Sequence, residues 1–240
     1  MEKETFVYYE TLKNRYPNVR ILTWKKEFNY SAINNFAVRE ARGEYLLFLN
    51  NDVEIITESW LEEMLQLCQQ KDVGMAGAKL YYPDDTIQHA GVVVGLGGVA
   101  AHVLCKLPRD AEGYMGRLRC VQEISAVTAA CMMVKTSVFK AVGGFDEELK
   151  VAFNDIDLCM KVRKYGVKIV FTPYAELYHY ESKSRGMEDT PEKQLRFSRE
   201  VNCFRRKWER ELLKGDPYYN PNLTLNNTDC SLRKQEKNGD

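Results

Sequence analysis

The sequence has no long hydrophobic run. Its most apolar stretch, AGVVVGLGGVAA at residues 90–101, is interrupted by glycine and falls short of the roughly 18 residues a membrane-spanning helix needs, so no transmembrane segment is expected. Nor is there an excess of charge: 34 Lys and Arg stand against 34 Asp and Glu. Neutrality removes the usual reason to expect nucleic acid or an acidic membrane as the main partner. No two of the seven cysteines, at 68, 105, 120, 131, 159, 203 and 230, have CxxC spacing. Neither a disulfide framework nor a zinc knuckle is indicated, and each Cys is expected to behave as a small apolar core residue. The opening MEKETFVYYE is charged where a signal peptide would be apolar, which favours a cytoplasmic location, or a peripheral one at a membrane. The sequons at Asn29, Asn222 and Asn226 then read as chance. There is no internal repeat.

What is present is the text of an α/β protein. With 240 residues, 45% of them hydrophobic, the chain can bury a sizeable core as one large domain or two small ones. Short apolar runs alternate with helical periodicity from residue 19 onward. VRILTW at 19–24 reads as a strand, 31–42 as a helix stopped by Gly43, and YLLFLN at 45–50 as a second strand. Five consecutive apolar residues at 45–49 predict that this strand is central and covered on both faces. A helix from about Thr57 carries Trp60, Leu61, Met64, Leu65 and Cys68 as a core-facing stripe. Further strands are expected at 73–80, around Val92, and at 126–134, 167–172 and 175–180, and a long charged helix at 192–213. The tail from Gly215 loses periodicity and is expected to run over the surface.

Three clusters can carry chemistry. The apolar strand at 45–49 ends abruptly in Asn50, Asn51 and Asp52, and ligands of open α/β sheets collect at the carboxyl ends of strands. A carboxylate there can hold a hard divalent cation, although Asn and Asp also simply make turns. In AFNDIDLCMKVRKYG, Asn154, Asp155 and Asp157 precede a helix. Residues two apart on a helix do not face each other, so the two aspartates do not form a dyad. One can serve alone as a base in a cleft, or the group can serve only to cap the helix. In LYHYESKSRG, His179 can offer a neutral imidazole nitrogen to a metal, and Lys183 and Arg185 can meet phosphate. His89 and His102 have no charged context and read as structural. The glycines at 95, 97 and 98 do not make a dinucleotide fingerprint, because the third glycine position is Ala100.

Taken in order, FNYSAINNFAVREARGEYLLFLNNDVEI, VGMAGAKLYYPDDTIQHAGVVVGLGGVA, ISAVTAACMMVKTSVFKAVGGFDEELKVAFNDIDLC and TPYAELYHYESKSRG resemble a family 2 glycosyltransferase of GT-A fold over about residues 19–225. The resemblance implies a Rossmann-like α/β domain at 1–214, with a mixed, mostly parallel central sheet flanked by helices, and a C-terminal extension at 215–240. It implies Asp52 as a metal ligand within a DxD-like motif whose first aspartate is Asn50, His179 as the histidine completing metal coordination, and Asp155 as the general base. Asn50, Asn51, Asn154, Asp157, Lys183 and Arg185 are expected around the substrate. The implied reaction is inverting transfer from a nucleotide-diphosphate sugar, a UDP-sugar foremost, to a glycan or lipid-linked acceptor, with Mg2+ or Mn2+. Asn50 and Asn154 each remove a carboxylate from the family pattern, and Ala129 stands where relatives often have glycine. The family's opening strands, which grip the nucleobase, are not found in the sequence, so the fold is expected to be N-terminally incomplete and completed by a further domain or chain. A noncatalytic glycan- or protein-binding domain on the same scaffold is the alternative. RRKW at 205–208 only loosely resembles the QxxRW of processive synthases, and with no transmembrane channel expected, single-sugar addition is favoured.

Overall fold

The structure, a computed structural model, describes residues 3–181 and 190–234. In chain order it comprises α1 (Lys3–Arg15), α2 (Tyr30–Glu40), β1 (Tyr45–Leu49), β2 (Val53–Ile55), α3 (Trp60–Gln69), β3 (Val73–Tyr81), β4 (Ile87–His89), β5 (Val92–Val94), β6 (Ala100–His102), β7 (Gln122–Glu123), β8 (Cys131–Lys135), α4 (Thr136–Ala141), α5 (Asn154–Tyr165), β9 (Lys168–His179), α6 (Pro191–Lys207) and α7 (Glu209–Lys214).

The main sheet runs β1-β8-β3-β9-β2, with β4 added to β3 and β7 to β9. All nine residues of β3 are buried, as its near-continuous apolar sequence requires of a central strand. The expected mostly parallel sheet is corrected: β3 pairs parallel with β9, whereas the other pairings within this sheet are antiparallel. The reason lies in the connections. Between β3 and β8 the described chain passes through short strands and 3-10 turns with no α-helix, so no helical crossover is available to bring β8 in parallel. The expected central position of 45–49 is also corrected. β1 is an edge strand, and Leu49 at its end is 41% exposed. Its apolar run instead divides between two cores: Leu46 and Phe48 enter the larger cluster, while Tyr45 and Leu47 pack against the smaller.

Residues 19–24 form no strand, since no ladder pairs them and Leu22 is left exposed. Helix α1 was not expected. The charged segment at 192–213 is two helices, α6 and α7, broken at Trp208. The two strands anticipated at 167–180 are the single strand β9, whose Pro173 is accommodated at an irregularity in the ladder with β3. The expected stripe of α3 is corrected in part: Trp60, Met64 and Cys68 are buried and Leu65 is partly so, but Leu61 is 39% exposed and Leu67 takes the buried place instead, and the helix starts at Trp60, after Ser59. Of the cysteines, Cys68, Cys131, Cys159 and Cys230 are buried and Cys120 is exposed. The tail does more than lie on the surface: Tyr219, Leu223 and Cys230 join the larger core, and Leu104 N–H donates to Thr228 O at 2.6 Å.

Gly77 in β3 has no room for a side chain, because a Cβ there would collide with Val127. Gly77→Ala is expected to destabilise the protein by about 2 kcal/mol through overpacking, lowering Tm by roughly 4–8 °C in a thermal melt.

Candidate functional site

The turn after β1 and the end of β9 meet through the β2–β9 ladder. Val53 pairs with His179 in antiparallel register, and Tyr180 N–H donates to Asp52 O at 2.8 Å. Backbone pairing therefore brings two side chains together from distant parts of the sequence. Asp52 Oδ1 lies 3.3 Å from His179 Nε2, and the Asn50 amide nitrogen is 3.1 Å from the same ring nitrogen.

The protonation pattern of His179 follows from Gln88, a buried residue of β4. Gln88 Nε2 donates to the backbone carbonyl of His179 at 3.1 Å, which leaves Gln88 Oε1 as the atom facing His179 Nδ1 at 2.7 Å. An amide oxygen only accepts, so Nδ1 carries the proton and Nε2 presents its lone pair toward Asn50 and Asp52. Burial holds the His179 pKa below its ordinary value, with the Asp52 charge opposing it. The neutral ring is the form that ligates metal.

Asp155 enters the same cleft from the other wall. Helix α5 starts after Phe153, which has a left-handed backbone (φ 62°) and provides no side-chain cap. The carboxylate is oriented by two backbone donors, Ala129 N–H to Oδ2 at 3.2 Å and Ile156 N–H to Oδ1 at 2.8 Å. Tyr30 donates to Ala129 O at 3.1 Å, and its phenol pKa is raised by burial and by the Asp155 charge. Helix α6 holds this wall in place. The buried carboxylate of Glu200 accepts from Val151 N–H and Ala152 N–H, each at 3.0 Å, and Phe153 packs on the rings of Phe197 and Phe204.

A cleft of about 1460 Å³ is lined by Asn50, Asn51, Asp52, Asn154, Asp155 and His179 together. Asp157 is not among its lining residues. It is fully buried, accepts from Trp208 Nε1 at 2.8 Å and pairs with Lys207 at 2.8 Å and Lys161 at 3.3 Å, because two positions of helix carry it round to face α6 and α7. Lys183 and Arg185 lie outside the described residues. Gln88, Tyr30, Glu200 and the arginines of α6 that reach the cleft, Arg196, Arg199 and Arg206, were not singled out from the sequence. Only the side-by-side placement of Gln88 and His89 in a strand-like run hinted that this segment carries polar groups inward.

A profile of the glycosyltransferase-like family matches residues 12–200. The chain belongs to this family. Across 97% of its length it is 53% identical to the uncharacterized protein y4gI of Sinorhizobium fredii, and across 93% it is 42% identical to the O-antigen biosynthesis protein RfbC of Myxococcus xanthus. It spans 26% of the first and 17% of the second, about a quarter or less of the length of these curated relatives. Similar solved structures include GalNAc-T7 with UDP, GalNAc and Mn2+ (TM-score 0.63, 14% identity, 88% of this chain and 40% of that one). Another is the mannosyltransferase PcManGT of Pyrobaculum calidifontis with GDP-Man and Mn2+ (TM-score 0.59, 14% identity, 87% and 52%). At that identity the likeness is one of fold, and the glycosyltransferase domain has the GT-A fold.

Among the described residues no three His, Cys, Asp or Glu side chains gather as a metal cluster. Two donors are nevertheless ready. Among the described residues Asp52 Oδ1 is buried with no hydrogen-bond partner, and it lies beside the unprotonated Nε2 of His179, which accepts from the Asn50 amide. Their 3.3 Å separation suits neighbouring ligands of one small divalent ion, for which metal–ligand distances of about 2.0–2.2 Å place adjacent donors about 3 Å apart. The donor set fits Mg2+ or Mn2+.

Gln88→Leu is expected to remove the acceptor that holds the proton on Nδ1. Imidazole 15N spectra of the folded variant then show a mixture of His179 tautomers, where the parent protein shows Nδ1–H alone.

Proposed function

We propose that this domain transfers a single sugar from a nucleotide-diphosphate donor, a UDP-sugar foremost, to a hydroxyl of a glycan or lipid-linked acceptor, with inversion at the anomeric carbon. The observation that carries the reading is the presence of Asp155 in one cleft with the Asp52–His179 pair. A divalent cation held by Asp52 and His179 would neutralise the charge that builds on a departing nucleoside diphosphate. Asp155, its carboxylate fixed by Ala129 N–H and Ile156 N–H, accepts the proton of the acceptor hydroxyl as that oxygen attacks. One base acting on one nucleophile in a single in-line displacement inverts the anomeric centre. Asn50 supports His179, and Asn51 and Asn154 line the remaining polar wall beside the substrate.

The relatives support the substrate class. RfbC is named for O-antigen biosynthesis, and a 62-residue stretch is 36% identical to an N-acetylglucosaminyl-diphospho-decaprenol L-rhamnosyltransferase of Mycobacterium tuberculosis. Polysaccharide synthesis on a lipid-linked acceptor accords with both names. Among the described residues no helix is long and apolar enough to cross a membrane. The outer edge of β1 has no strand partner among the described residues, and a strand laid there by a further domain or another chain would complete the nucleobase side of the cleft.

The amides at Asn50 and Asn154, where the family pattern has carboxylates, favour a second reading, a noncatalytic glycan-binding domain. Two substitutions separate the readings. Asp155→Asn is expected to lower sugar transfer by about 10²–10⁴-fold while leaving UDP affinity in Mn2+ within twofold by calorimetry. Transfer retained in this variant rejects the base assignment, and no transfer by the parent protein to any glycan acceptor supports the binding module. Asp52→Ala is expected to weaken UDP binding about tenfold or more in Mn2+ and to leave binding in EDTA unchanged, again read by titration calorimetry.

A further inference from the structure

A second void, of about 610 Å³, lies over β3 and β9 and shares no lining residue with the cleft. That volume falls within the about 300–1,000 Å³ typical of small-molecule sites. Lys79 of β3 is among its lining residues and is only 5% exposed. Its ammonium donates to Leu118 O at 3.2 Å and sits 5.3 Å from the centre of the Tyr81 ring. Among the described residues it has no carboxylate within 4.0 Å. The nearest candidate, its ladder neighbour Glu176, already accepts from the Tyr81 hydroxyl and lies 3.5 Å from Arg109. Arg109 in turn is 3.5 Å from Asp85. The inner carboxylates are therefore engaged, and among the described residues the Lys79 ammonium, with three protons to donate, has the single hydrogen-bond acceptor Leu118 O.

A buried ammonium without a counter-ion is costly, and the cost is met by a partner or by loss of the proton. Burial does lower the Lys79 pKa, Glu176 opposes that shift, and Arg109 and Arg119 add to it. An anion entering the void would reverse the balance. The same void is lined by Arg119, which is exposed, and by Asp84 and Asp110, whose carboxylates can accept from hydroxyl groups. A ligand with both a negative group and hydroxyls matches this lining, and inorganic anions alone would leave the acidic rim unused.

We infer that this void is a second ligand site, separate from the transfer cleft, which takes an acidic sugar through Lys79 and Arg119. The acidic group is an oxyanion, a carboxylate as in a uronic acid or a phosphate as in a sugar phosphate. The inference stands on its own observations and does not require the transfer reaction.

Titration calorimetry of the protein with glucuronate, glucose 6-phosphate and neutral glucose tests it and separates the two sources. Saturable binding of either acidic sugar at least tenfold tighter than glucose is expected. In Lys79→Met that binding falls at least tenfold while UDP affinity in Mn2+ is unchanged. Arg119→Ala, a substitution at an exposed position, is expected to weaken the acidic sugar severalfold and secures the test if Lys79→Met fails to fold. Absence of saturable binding by both acidic sugars, equal binding of glucose, or retention of full affinity in Arg119→Ala and in folded Lys79→Met overturns the inference.

Discussion

The antiparallel register between β2 and β9 is the constraint on which the site depends. Pairing of Val53 with His179 fixes the distance between the turn after β1 and the end of β9. A slip of one residue would turn His179 to the opposite face of its strand and separate it from Asp52. The register is held by more than its own few hydrogen bonds. Strand β9 also pairs in parallel with the fully buried β3, so the position of His179 inherits the rigidity of the centre of the sheet. Gln88 completes the restraint by gripping both the ring and the backbone carbonyl of the same residue.

The opposite wall is built on a different principle. Asp155 belongs to no ladder, and it follows a residue with a left-handed backbone, a conformation that costs a bulky side chain about 1–3 kcal/mol. That conformation persists because α6 over-determines it. Glu200 satisfies two backbone donors of the preceding turn, and the rings of Phe197 and Phe204 pack on Phe153 itself. Removing the Glu200 carboxylate would leave two backbone donors without their partner, so α6 is as much a part of the site as the residues that face its cleft. Asp157 contributes to the same attachment from below, tying α5 to Lys207 and Trp208 at the end of α6.

The polar groups of this domain thus fall into three settings with different physics. In the cleft, an acceptor oxygen of Asp52 has no hydrogen bond among the described residues and an unprotonated ring nitrogen accepts only from the neutral Asn50 amide, so a cation would gain from both. At Asp157 a buried carboxylate is matched by two ammonium groups and an indole N–H, which makes it a fastening. At Lys79 the sign is reversed, with a buried cation whose surrounding carboxylates are engaged elsewhere.

The sequence by itself determined the α/β character, most of the stripe of α3 and the strand at 73–80, and it singled out Asp52, Asp155 and His179, because periodicity and the abrupt end of an apolar run are local properties. It also showed that Asp155 and Asp157 could not share a task, since helix geometry separates positions two apart. Only the tertiary structure decided that β1 lies at an edge, that most pairings are antiparallel, and that 19–24 is no strand, because strand direction and neighbours depend on connections a period cannot encode. The roles of Gln88 and Glu200 were likewise out of reach. Each acts on backbone groups far along the chain, and a hydrogen bond across 49 or 91 residues leaves no trace in local composition.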